Sequence, residues 1–93
     1  MHIGLLRVDL HLPASQSLKD KRSELLRIRE KIRSKFNVSV SEVGHHDRRQ
    51  RIELAVVMVA ASQALIDKVF EQVVKILAAN TNVEILDDRI EHL

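Results

Sequence analysis

Two adjacent histidines and an aspartate, His45, His46 and Asp47, are the side chains of this sequence best suited to metal chemistry. Imidazole nitrogens and carboxylate oxygens are common ligands of divalent metals. Adjacent residues seldom converge on one ion, however, and a polar turn in which Asp47 accepts backbone hydrogen bonds accounts for the same three residues. We therefore expect no metal and no other cofactor.

Other catalytic arrangements are equally scarce. The chain has no cysteine and only two glycines, so it lacks thiolate chemistry, disulfides and a glycine-rich phosphate loop. No nucleophile stands in a recognisable arrangement with a base. We expect a protein that is not an enzyme, while a small-molecule or metal-binding enzyme stays open as an alternative.

Basic residues form two compact groups suited to binding phosphate. Segment 18–36 carries eight basic and three acidic residues, whereas from residue 52 onward seven acids stand against three basic residues. The net charge of +2 therefore conceals an uneven distribution. A solvated helix face, partly neutralised by Glu24 and Glu30, would explain the first group equally well. The predicted nucleic-acid site consists of Lys19, Lys21, Arg22, Arg29, Arg33, Arg48, Arg49 and Arg51.

The hydrophobic pattern predicts the elements that must position these residues. Two stretches with helical spacing begin after Ser17 and Ser62, which are typical N-cap residues. The inner face of the first helix is predicted to comprise Leu18, Leu25, Ile28, Ile32 and Phe36. Strand patterns occupy residues 3–12, 38–43, 50–61 and 83–90.

The order βαββαβ is typical of a ferredoxin-like α+β fold. Right-handed crossovers then give a four-stranded antiparallel sheet with the first and third strands in the middle and two helices on one face. A slip in the alternation near Leu86 indicates a β-bulge in the last strand. No linker is visible, so residues 1–93 are predicted to form a single domain.

The third predicted strand is apolar on both sides, which an antiparallel sheet open to water does not require. Base stacking on this face is not expected, because the only aromatic residues, Phe36 and Phe70, fall on the inner faces of helices. We predict a homo-oligomer that associates through the open sheet face; scattered exposed aliphatic residues are the alternative. The predicted interface residues are Leu5, Ala55, Val57 and Val59.

Three features of the chain resemble the YlxP-like family of small bacterial proteins of unknown function. They are the segment SLKDKR at residues 17–22, the segment FNVSVSEV at residues 36–43, and the spacing of His45, Asp47 and Gln50. The resemblance covers essentially the whole chain. It implies a ferredoxin-like fold and, because such genes accompany those of translation and ribosome-maturation factors, a role near ribosomal RNA.

Two positions depart from the pattern of that family. Gly44 stands where an aspartate is usual, and Arg49 stands where a tryptophan is usual. The resemblance supplies no activity, substrate or catalytic residue. We therefore expect a non-catalytic binding protein whose partner is ribosomal RNA or a ribosomal subunit, with a structural or regulatory homo-oligomer as the alternative.

The beginning of the chain does not resemble a signal peptide, because a strand-like pattern follows Met1 at once. The longest apolar run, residues 54–61, is far too short to span a bilayer. From these two observations we expect a cytoplasmic protein without a membrane partner.

Overall fold

The computed structural model describes all residues from Met1 to Leu93. Six elements follow one another: β1 (His2–His11), α1 (Leu18–Lys35), β2 (Ser39–Gly44), β3 (Arg51–Ala60), α2 (Gln63–Ala79) and β4 (Glu84–His92). All strand pairs are antiparallel, and the order across the sheet is β2-β3-β1-β4. The predicted ferredoxin-like α+β fold, with β1 and β3 in the middle, is confirmed.

The core lies between the sheet and the two helices. Alternate residues of the central strands point toward the helices and are buried, as the period of a half-buried strand requires. Burying one such aliphatic side chain stabilises the fold by about 1.5 to 3 kcal/mol. The innermost side chains include Leu6, Val8, Leu10, Ile52, Leu54 and Val56 from the sheet, and Ile28, Ile32, Ile66, Phe70 and Val73 from the helices.

Helix α2 lies directly against β1 at Gly4. A Cβ atom at this position would collide with the side chains of Ile66 and Phe70. The absence of a side chain therefore lets α2 approach the strand closely enough for Phe70 to be fully buried. Any larger residue at position 4 would push α2 away from the sheet.

Both helices begin at the predicted serines. The Ser17 hydroxyl accepts a hydrogen bond from the Asp20 amide at 3.1 Å, and the Ser62 hydroxyl accepts one from the Leu65 amide at 3.2 Å. The Asp20 carboxylate in turn accepts from the Gln16 amide at 3.0 Å, one residue earlier than in a standard capping box. Side chains thus satisfy three amides at the helix starts.

The register of β4 against β1 shifts between Asp9 and Leu10, which leaves Leu86 without a partner on β1. The predicted bulge near Leu86 is therefore confirmed. The prediction for the inner face of α1 was wrong at Leu18, which is exposed. The buried residues of α1 instead include two charged ones, Lys21 and Glu24. Neither helix is long and apolar enough to cross a membrane.

Replacing Ser17 with Ala should lower the free energy of unfolding by about 1 kcal/mol, because the Asp20 amide loses its acceptor. Urea denaturation followed by circular dichroism measures this loss. The RNA binding that we expect from the sequence should not depend on this substitution, because the Ser17 hydroxyl acts as a helix cap. Lost binding with unchanged stability would show that Ser17 is a contact residue instead.

Candidate nucleic-acid interface

Lys21 is the most deeply buried charged residue of the chain, with 1% of its surface exposed. Its ammonium group donates hydrogen bonds to three backbone carbonyl oxygens, those of His45 at 2.8 Å, His46 at 3.1 Å and Arg51 at 3.4 Å. An ammonium has three protons, so its donor capacity is fully used. Glu42 Oε2 lies 2.9 Å from Nζ and balances the charge.

Two of the carbonyls belong to the connection between β2 and β3, and the third belongs to Arg51, the first residue of β3, so Lys21 fixes this loop to the N-terminal part of α1. Within the loop, His45 adopts a left-handed conformation with φ 59°, and the Arg48 amide donates to the His45 carbonyl at 2.9 Å. The Gln50 side-chain amide donates to the Ser15 carbonyl at 3.1 Å. Two side chains, Lys21 and Gln50, therefore hold the loop beside the start of α1.

This contact places the loop that carries one predicted basic group beside the start of the helix that carries the other. The basic surface, as we define it, contains the members of the predicted set that are exposed and have no carboxylate within ion-pair distance. Because carboxylates do not neutralise these charges, they can attract an anionic partner. The members are Lys19, Arg22, Arg29 and Arg33 on α1, and Arg48 and Arg49 in the loop.

Three of these arginines form one stripe along α1. Steps of seven and four residues, from Arg22 to Arg29 and on to Arg33, return to nearly the same angle on a helix with about 3.6 residues per turn. Arg27 and Lys31 line the cleft between α1 and α2, so the stripe occupies the opposite flank of α1. Because α1 packs over the edge strand β2, this flank faces outward past the edge of the sheet.

Two predicted site residues are not part of this surface. The prediction for Lys21 was wrong, because its buried ammonium is committed to the loop carbonyls and Glu42. Arg51 is half-buried, and its guanidinium lies 2.6 Å from Asp9 on β1. The charges of both side chains are committed to other groups of the protein.

Asp9 is the centre of a charged network on the open face of the sheet. Glu53 on β3 and Asp87 on β4 lie directly opposite it, so three carboxylates form a row across three strands. Like charges in register destabilise a sheet. Arg51 at 2.6 Å from Asp9 and Arg7 at 3.7 Å from Glu53 offset this repulsion.

The two histidines of the predicted turn diverge. His45 Nε2 lies 3.7 Å from Asp9 on the open face of the sheet. His46 Nδ1 lies 3.1 Å from Glu42, whose carboxylate also contacts Lys21 on the helix side. The two imidazoles therefore contact carboxylates on opposite faces of the sheet. No group of three potential ligands among the histidines and carboxylates is arranged to hold a metal ion.

Glu24 is a second buried charge of α1 that the sequence reasoning missed. Its carboxylate accepts hydrogen bonds from the side-chain amides of Asn80 at 3.2 Å and Asn82 at 2.9 Å. It thereby ties α1 to the turn between α2 and β4. Periodicity contains the signal that could have found it, because Glu24 lies one helical turn from the buried Ile28.

The predicted interface residues share one half of the open sheet face. Leu5 lies opposite Val57, and Ala55 precedes this pair along β3. Leu5 and Ala55 are half-buried, whereas Val57 is 37% and Val59 57% exposed. The four side chains therefore form a continuous apolar patch beside the charged network.

Comparisons with known proteins identify relatives of this chain. The model of a family described as Protein of unknown function (DUF503) matches residues 3–90. The chain is also similar to Uncharacterized protein YlxP of Bacillus subtilis (strain 168). The two are 32% identical over 82 residues, which cover 88% of this chain and 89% of that protein.

Among solved structures, the chain is similar to the apo form of LarC2. That structure is described as the C-terminal domain of a cyclometallase involved in the synthesis of the NPN cofactor of lactate racemase. The TM-score is 0.44 and the sequence identity 12%. The match covers 100% of this chain, which spans 56% of the LarC2 chain.

Replacing Lys21 with Ala should lower the free energy of unfolding by about 3 kcal/mol or more, because Glu42 and three carbonyls lose their common partner. The matched control is Lys19→Ala, which removes an exposed lysine from the same helix and should change stability by less than about 0.5 kcal/mol. Urea denaturation of the three proteins provides the comparison. Equal stability of the two variants would contradict the role of Lys21.

Proposed function

This chain belongs to the DUF503 family of proteins of unknown function, and we propose that it is a non-catalytic protein that binds RNA phosphates through its basic surface. The observation that carries the proposal is the grouping of six exposed cations that have no carboxylate partners. Guanidinium groups suit this role because they bind phosphate in a bidentate manner. The ribosomal setting of the proposal rests on the resemblance to YlxP-like proteins.

The arrangement of the loop supports the proposal. Surface loops that bear charged side chains are commonly mobile, and ordering them on binding costs conformational entropy. Here hydrogen bonds of Lys21 and Gln50 attach the loop to the start of α1 and the residues before it. Arg48 and Arg49 are therefore presented on an ordered backbone before any ligand arrives.

The charge distribution of the remaining surface also supports it. Of the seven acidic residues after residue 52, Glu53 and Asp87 lie in the row beside Asp9, and others lie on α2 and β4. The arginine stripe of the basic surface lies instead on the flank of α1 opposite the cleft between the two helices. A polyanion that approaches this flank meets cations without first meeting the acidic half of the molecule.

Binding of this kind releases counterions, so the logarithm of affinity should fall linearly with the logarithm of salt concentration. The double substitution of Arg48→Ala and Arg49→Ala should weaken binding about equally for unrelated RNA sequences and reduce the salt slope by about 1 to 2. Fluorescence anisotropy of labelled RNA over a series of salt concentrations measures both quantities.

The matched control removes two charges from α2 through Lys68→Ala and Lys75→Ala, both at exposed positions outside the basic surface. This control should keep the wild-type slope. The proposal fails if wild-type binding does not depend on salt, or if the arginine variant binds with unchanged affinity and slope.

A second candidate function is self-association through the open sheet face. The observation that favours it is the apolar patch of Leu5, Ala55, Val57 and Val59, in which two valines remain exposed. A second copy of the chain could cover this patch with its own, as two-fold symmetry requires. Both functions can coexist, because α1 and the open face lie on opposite sides of the sheet.

Replacing Val57 with Asp should convert the self-associated protein into a monomer, since a carboxylate in the interface would have to lose its hydration. Val43→Asp is the matched control, because Val43 is an exposed valine outside the patch. Sedimentation velocity at micromolar concentration gives the oligomeric state. A monomeric wild-type protein, or a Val57→Asp protein that keeps its assembly, would rule out this interface.

A further inference from the structure

The basic surface contains no aromatic side chain. Phe70, a residue of α2, is fully buried, and Phe36 is half-buried against the core at the end of α1. The chain has no tryptophan and no tyrosine. Proteins that bind single-stranded nucleic acid generally combine a positive groove with aromatic rings on which successive bases stack. A single strand on this surface would form ionic contacts with the cations but no stacking interactions with aromatic rings.

The cations of the surface also stand on a rigid frame. Four of them are fixed to one continuous helix, and Lys19 and Arg33 are separated by 14 residues, which corresponds to about 21 Å along the axis. The other two stand on the loop that Lys21 holds in place. A flexible strand must become ordered to place its phosphates against such an array, which costs conformational entropy, whereas a ligand whose phosphates already have fixed positions does not incur this cost.

Double-helical nucleic acid is a ligand of this kind. A duplex carries one phosphate charge for about every 1.7 Å of its axis, which is twice the density along one strand. A duplex therefore presents a higher density of phosphate charge along its axis than either of its strands alone. A duplex is also ordered before it binds, so its phosphates need little further ordering on the protein.

From these observations, and resting on the proposed function, we infer that the basic surface recognises the phosphate backbone of double-helical RNA in preference to single-stranded RNA. The arginine stripe of α1 lies along the duplex, and the loop arginines contact it at the N-terminal end of the helix. The narrow major groove of A-form RNA does not admit an α-helix, so recognition occurs from outside and independently of sequence.

The test compares an RNA hairpin stem with an unstructured single strand of the same phosphate count. Anisotropy titrations of the wild-type protein over a series of salt concentrations give the affinity and the salt slope for each RNA. We expect the stem to bind at least about tenfold more tightly near physiological salt and to show the steeper slope, because more phosphates are neutralised.

Substituting Arg29→Ala together with Arg33→Ala shortens the rigid array to its N-terminal part. This variant should lose most of the preference for the stem, whereas the control with Lys68→Ala and Lys75→Ala should keep it. Equal binding of stem and strand by the wild-type protein would overturn the inference but leave the proposed function intact. An absence of salt-dependent binding to either RNA would overturn both.

Discussion

The arrangement of this domain depends on one buried charge. The ammonium of Lys21 is removed from water, which costs several kcal/mol unless protein groups replace the lost hydration. Three carbonyl oxygens and the Glu42 carboxylate supply that replacement. These acceptors belong to one end of the β2–β3 hairpin, so the orientation of α1 over the sheet and the conformation of the loop are determined together.

Glu24 is a second buried charge that fixes the position of α1, through contacts with the turn between α2 and β4. Its carboxylate is bound by two asparagine amides from the turn that follows α2. The buried face of α1 is therefore only half apolar: Lys21 and Glu24 contact two different connections of the chain, and Ile28 and Ile32 follow them toward the C-terminal end of the helix. The hydrophobic effect is non-directional, whereas hydrogen bonds require particular atoms at particular distances and so favour one placement of the helix. The position of the exposed side chains of α1 is therefore fixed even though the hydrophobic core beneath the helix is small.

Much of the fold could be predicted because local signals and topology agree. Hydrophobic patterns identified the four strands, Ser17 and Ser62 identified the helix starts, and the slip near Leu86 identified the bulge. The side chain of Lys21 could not be placed from charge alone, because Lys19 and Arg22 are chemically similar and lie beside it. Its position relative to Ile28 and Ile32 was informative, but the carbonyls that satisfy it lie in a loop whose conformation is set by the tertiary structure.

The acceptors of Lys21 lie 24, 25 and 30 residues further along the chain. A contact over such a separation forms only when the helix and the hairpin have docked, after the entropy of closing the intervening loop has been overcome. An unfolded or newly synthesised chain therefore carries the same arginines without the arrangement that makes them a surface. Any ligand that recognises the arrangement binds the native state alone, and by thermodynamic linkage its presence raises the population of folded molecules.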